Sequence, residues 1–201
     1  MTQKADNLRV KRTKILLRET LIALIEERGF DALTVGELTE RAMVSRAAFY
    51  RNYRDKYDLV EQIFEEAMST LFNAIGEFGQ EHPTDVWIRF FEQITQYDQL
   101  YRALLGKKGS PWFVWKMRAR LAELIKEHGS LGNPHALIMS AHATHPAHSF
   151  SDMFVPDLVA AMIVEAITWW LEQEQSYAPR ELATKTALLA SAVFREASTW
   201  P

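Results

Sequence analysis

Between residues 34 and 57 the chain reads TVGELTERAMVSRAAFYRNYRDKY, and no other stretch restricts the possible folds as much. Thr34 is a helix N-cap. Its hydroxyl can accept from the backbone N–H of Glu37 while Glu37 reaches back, which is a capping box. Val35, Leu38 and Ala42 then recur at helical spacing. Met43 and Val44 form a turn, and Ser45 caps a second helix whose apolar positions are Ala48 and Phe49. Two helix starts this close leave room only for two short helices joined tightly. Arg46, Ala47, Tyr50 and Arg51 point elsewhere than the apolar positions, and Asn52 and Tyr53 close the element. An ordinary helical hairpin with a solvated face would mix Glu and Lys there; this face is basic and aromatic.

That is the chemistry of a helix lying in the DNA major groove. Ala47 and Ala48 keep the helix slim, so it can approach base edges. Small side chains can touch a thymine methyl, and Arg46 and Arg51 can reach guanine or phosphate. The preceding arm is basic as well: Lys4, Arg9, Lys11, Arg12, Lys14 and Arg18 occur with only Asp6 among them. Residues 13–28 carry Ile15, Leu16, Leu21, Ile22, Leu24 and Ile25 at helical spacing, and Gly29 is a C-terminal stop. Phe30 and Leu33 plug a three-helix core. Asp55 caps a fourth helix bearing Leu59, Val60, Ile63 and Phe64.

With Gly29-Phe30, Thr34, Ala42-Met43-Val44-Ser45, Phe49-Tyr50, Tyr53 and Lys56 in this order, the N-terminal region resembles the DNA-binding domain of the TetR family of bacterial transcriptional regulators. The resemblance covers the first quarter to third of the chain. It implies an all-α fold: a three-helix helix-turn-helix head, joined by a long fourth helix to a helical-bundle body that binds ligand and dimerises. It implies phosphate contacts for Thr34, Tyr50 and Lys56. Ser45, Arg46, Ala47 and Arg51 lie where the family reads bases or flanking phosphates, Arg46 foremost. Tyr53 joins this set, against the plainer alternative of packing on the first helix. Met43 departs from the family's usual Gly; if the turn needs a positive φ, Met carries a strain cost there.

Composition agrees. The 201 residues are 48% hydrophobic, enough for one or two domains with cores. Without Cys there is no disulfide, thiolate nucleophile or Cys-based metal site. No apolar run approaches membrane-spanning length and the N-terminus is not a signal peptide, so a cytoplasmic protein is the default expectation. Net charge is −3, but it is unevenly placed: residues 1–57 hold 12 Lys/Arg against 8 Asp/Glu, and the remainder 11 against 18. A basic head on an acidic body orients a protein on DNA.

The domain organisation expected is 1–57 for the head and 58–201 for the effector-binding and dimerisation body. The fourth helix is expected over 56–78, with further helices starting at Thr84, Gln99, Pro111, Pro156 and Pro179. Residues 129–152 read as partly helical and irregular. The last two helices are apolar around more than one stripe, which implies burial on both sides. The family resemblance implies the same, a homodimer through Met162, Ala166, Trp169, Trp170, Leu189, Val193 and Phe194. All six Trp lie in the body. The candidates for a pocket taking a small apolar or aromatic effector are Trp87, Phe91, Tyr101, Trp112, Trp115, Met139 and Met162, although aromatics at helical spacing are more often core.

Five of the six His fall between His128 and His148. His142, His145 and His148 could share a helical face, but Pro146 interrupts it and the triplet holds no carboxylate; a solvated loop and no metal site are expected. No catalytic or cofactor fingerprint is present, so neither turnover nor a cofactor is expected. The expected function is that of a homodimeric repressor of a palindromic operator, released by its effector. A regulator acting as an activator or through a protein partner, and a helical interaction module without specific DNA binding, are the alternatives.

Overall fold

The computed structural model describes residues 2–76, 83–127, 150–173 and 176–200. Among the described residues the regular structure is helical throughout: α1 (Thr2–Arg28), α2 (Val35–Arg41), α3 (Arg46–Tyr50), α4 (Lys56–Gly76), α5 (Pro83–Gln96), α6 (Asp98–Leu105), α7 (Pro111–Glu127), α8 (Phe150–Glu172) and α9 (Pro179–Ala197). The all-α class expected from the sequence is therefore the class observed. The chain forms two compact units, Met1–Thr70 with Gln99–Ser110, and Leu71–Asp98 with Pro111–Pro201. Relative to a boundary at residue 57, the first unit also takes in the first part of α4 and nearly all of α6.

The first unit forms around one apolar seam. Leu17, Leu21, Leu24 and Ile25 recur at i, i+4, i+7 and i+8 of α1, and all are buried. Phe30 and Leu33 from the following turn, Leu38 of α2, Phe49 of α3 and Leu59, Val60, Ile63 and Phe64 of α4 close over them. Each such side chain contributes roughly 1.5–3 kcal/mol of transfer free energy. Helix α1 is much longer than the apolar periodicity over 13–28 suggests, because it continues N-terminally through the basic arm.

In the second unit α7 packs on α8, and α9 packs on both α5 and α8. Helix α9 turns Ala183, Thr186, Ala187 and Ala190 inward, and these small residues let its backbone approach its neighbours closely. Trp87, Phe90 and Phe91 of α5 interlock edge to face, and Phe91 meets Trp170 of α8 with ring centroids 5.8 Å apart. The Trp170 indole N–H donates to the carbonyl of Tyr177 at 2.9 Å, so this ring is both buried and satisfied.

Two expectations are corrected here. Helix α8 starts at Phe150, not Pro156, and carries Pro156 inside it; the proline's φ suits a helix, while its ring crowds the carbonyl one turn earlier and one backbone hydrogen bond is missing. Residues Met153–Glu172 are also long and apolar enough to cross a membrane by length and composition, with mean hydropathy 1.6, contrary to the reading of the sequence. Half of that stretch is buried inside the protein, where it packs on α7 and α9. The irregular segment at 129–152 and the histidine cluster fall almost wholly outside the described residues.

Candidate nucleic-acid interface

The helix-turn-helix is built from local hydrogen bonds. Thr34 Oγ1 accepts from the Glu37 N–H at 3.2 Å, and Glu37 Oε2 accepts from the Thr34 N–H at 3.0 Å and from its hydroxyl at 2.8 Å. The capping box is thus complete, and the Thr34 hydroxyl and N–H hold the Glu37 carboxyl below its ordinary pKa. Ser45 Oγ accepts from the Ala48 N–H at 3.1 Å and opens α3. Between the two helices Met43 adopts φ +52° with its side chain exposed. The departure from glycine therefore carries the expected strain, about 1 kcal/mol for an L-residue in this region.

Lys56, the first residue of α4, fixes the turn between α1 and α2. Its Nζ donates to the carbonyls of Phe30 at 2.8 Å, Asp31 at 2.9 Å and Leu33 at 2.8 Å, which uses all three ammonium protons. The ammonium also lies 4.7 Å from the centre of the Phe30 ring and 5.3 Å from that of Tyr57. Burial lowers its pKa, while Asp31 and Asp55 oppose that shift. In this geometry Lys56 staples the turn, whatever it does toward phosphate.

A second lysine holds the same turn. Gly29 ends α1 at φ +84°, and the next N–H, that of Phe30, donates to the Lys108 carbonyl at 3.0 Å. Lys108 Nζ donates to the carbonyl of Glu26 at 2.8 Å, within the last turn of α1. A Cβ on Gly29 would come within 3.3 Å of that Lys108 oxygen, so the site favours glycine for its conformation and is tight for any side chain. No local pattern in the sequence announces Lys108, which is 82 residues from Glu26.

Three acidic groups of the unit are paired with arginines outside α3. Glu27 pairs with Arg41 at 2.6 Å, Glu37 with Arg28 at 2.5 Å and Asp58 with Arg54 at 3.2 Å. Burial pushes the Asp58 carboxyl up, but hydrogen bonds from the Arg54 backbone and guanidinium and from Gln62 outweigh it and hold its pKa below the ordinary aspartate value. Among the described residues neither Arg46 nor Arg51 has an ion-pair partner, and both are exposed. Thr34, Ser45, Ala47 and Tyr50 are exposed too, so six of the expected DNA-facing residues share an accessible surface chemistry of hydroxyls, methyl and guanidinium. Tyr53 does not join them: it is 3% exposed, its ring packs 5.4 Å from that of Phe49, and burial, followed by the charges of Glu66 and Asp58, pushes its phenol up to about 12.

The residues expected in the body are distributed differently. Trp87, Phe91 and Trp170 are core, and Trp112 and Met162 are half-buried. Trp115 is 62% exposed and does not line an interior pocket, while Tyr101 is buried and belongs to the first unit, whereas the other described candidates belong to the second. Met139 lies outside the described residues. Of the expected dimer residues, Trp169 and Leu189 are exposed and Ala166, Val193 and Phe194 are half-buried. Trp170 faces its own core and is removed from that set.

Comparison with known proteins places the head. Residues 17–63 match the profile of the bacterial regulatory proteins, tetR family. Over 59 residues the chain is 34% identical to an uncharacterized HTH-type transcriptional regulator, YxbF, of Bacillus subtilis (strain 168); this spans 29% of the chain and only 16% of that relative. The fold as a whole is similar to a TetR transcriptional regulator from Streptococcus agalactiae 2603V, with TM-score 0.61 at 18% identity over 94% of this chain and 98% of the other. It is also similar to the transcriptional regulator FadR from Bacillus subtilis in complex with stearoyl-CoA, with TM-score 0.52 at 13% identity over 88% and 96%.

Two outcomes follow from this geometry. Lys56→Met keeps the apolar stem but strips three carbonyls of their donor, and should destabilise the protein by about 2 kcal/mol in urea denaturation. Asp58 contributes stability that is fully present above its ordinary pKa and is lost as pH falls through its lower folded value. The thermal midpoint should therefore hold above about pH 5 and drop below about pH 4, and Asp58→Asn should flatten part of that drop.

Proposed function

We propose that this chain, a transcriptional regulator carrying the tetR-family helix-turn-helix domain at residues 17–63, is a homodimeric repressor that leaves a palindromic operator when a small apolar or aromatic effector binds. The outer face of α3 supports the DNA contact above all. Arg46 and Arg51 stand exposed and without carboxylate partners on a helix held rigid by two capped starts and a two-lysine staple. Exposed guanidinium groups gain from phosphate through counterion release and from guanine edges through paired hydrogen bonds. Thr34 and Tyr50 flank them and would fix position on the backbone. Tyr53 and Lys56 act from behind, as the packing and the staple that hold the reading head.

Dimerisation uses the outer faces of α8 and α9. Phe154, Leu158 and Trp169 are exposed on α8 at helical spacing, and the adjacent Leu188 and Leu189 are exposed on α9. Large apolar groups on two neighbouring helices of one unit gain most by pairing with a second copy. Two α3 helices in such a dimer enter successive major grooves, about 34 Å apart. The effector acts through its differential affinity for a state with another spacing. Its apolar character is supported by the aromatic interior of the second unit, with Trp87, Phe91, Trp112 and Met162 the residues nearest in kind to a lining, and by FadR, a protein of this fold that holds stearoyl-CoA. A cytoplasmic location accords with this role.

Fluorescence anisotropy on duplexes flanking the protein's own gene tests the DNA contact. Arg46→Glu with Arg51→Glu should abolish specific binding while leaving the fold intact by circular dichroism; retained operator affinity would sink the assignment of α3. Leu189→Glu should convert the dimer to a monomer in sedimentation, and an unchanged mass would remove α9 from the interface.

A further inference from the structure

Gly36 lies inside α2, at the second position of a seven-residue helix. Its backbone does not require glycine, since Gly29 is the one glycine at positive φ among the described residues. Glycine is also the poorest helix former after proline, so it weakens a helix that is already short. What the missing side chain provides is room. A Cβ at Gly36 would stand 2.8 Å from Nη2 of Arg46 and 3.6 Å from its Cζ, with Thr34 Oγ1 next at 3.8 Å. One terminal nitrogen of the Arg46 guanidinium therefore lies against the bare backbone of α2, in the space that a Cβ at Gly36 would take. It does not extend freely from the tip of α3.

We propose that Gly36 is a specificity-determining residue: it forms the platform that holds the Arg46 guanidinium at the seam between α2 and α3, aimed at one base pair of the half-site. This rests on the reading of α3 as the DNA-contacting helix. Arginine reads guanine through two parallel hydrogen bonds to O6 and N7, a geometry that demands a defined guanidinium plane. A long side chain otherwise loses rotamer freedom on forming those bonds, and one already docked on a neighbouring helix loses less. Gly36 touches no base in this scheme and acts through Arg46.

The test compares wild type, Gly36→Ala, Arg46→Ala and the double variant. Each full-length protein is taken through in vitro selection from a random duplex library, then titrated by anisotropy on the wild-type consensus and on its single-base variants. Alanine suits the helix, and the atom it displaces is the end of a flexible side chain, so Gly36→Ala should melt at or above the wild-type temperature. It should relax preference at one half-site position, the same one that Arg46→Ala relaxes, by roughly tenfold. It should add nothing in the Arg46→Ala background. An unchanged motif would overturn the proposal, and so would an equal loss of affinity for every sequence, which would make Gly36 a point of close backbone approach. If wild type itself enriches no motif, the DNA-contacting reading of α3 fails and the platform with it.

Discussion

The Lys56 ammonium stands where three elements of the head meet. Burying a cation is costly unless its protons find acceptors. Here three carbonyls of one turn accept them, and two aromatic rings cover the remainder of the charge. Those carbonyls belong to Phe30, Asp31 and Leu33, between the end of α1 and the cap of α2. The start of α4 therefore decides where α2 begins, and α2 with its tight turn decides where α3 points. The exposed face of α3 is only as well placed as this one contact.

Charge is sorted along the same lines. Glu27, Glu37 and Asp58 pair with Arg41, Arg28 and Arg54 respectively, which ties these acids to the scaffold helices and to the start of α4. Among the described residues Arg46 and Arg51 are left without carboxylate partners. Surface ion pairs contribute little stability each, so their larger effect is to neutralise three arginines and three carboxylates of the scaffold while Arg46 and Arg51 keep their charge. In the second unit the sorting is by size. Small residues of α9 face inward and large ones outward, so the close packing that builds one unit leaves bulky apolar surface for another.

Much of the head was legible in the sequence because its determinants are local. The Thr34 capping box, the Ser45 cap, the Gly29 stop and the Asp55 cap at 2.8 Å to the Asp58 N–H all lie within four residues of what they act on. Met43 at positive φ was readable for the same reason. What escaped was long-range or a matter of facing. Lys108 acts across 82 residues. Tyr53 and Tyr50 are the same residue type on adjacent turns, yet one is core and the other surface. Trp169 and Trp170 are consecutive in a helix apolar on nearly every side, where periodicity cannot say which ring turns inward. Pro156 looked like a start because proline favours first turns; the helix instead accommodates it further in.

The hydrogen bond from Phe30 to Lys108 has a bearing on modularity. Residues 99–110 belong to the same compact unit as the helix-turn-helix, although α5 and a further stretch of chain intervene. The reading head is thus not a contiguous cassette. A fragment ended after α4, or a chimera joining these first helices to another body, would leave the Phe30 N–H at the end of α1 without the Lys108 carbonyl. A second unit joined to these helices must therefore bring a matching loop, a limit on recombination set by one hydrogen bond.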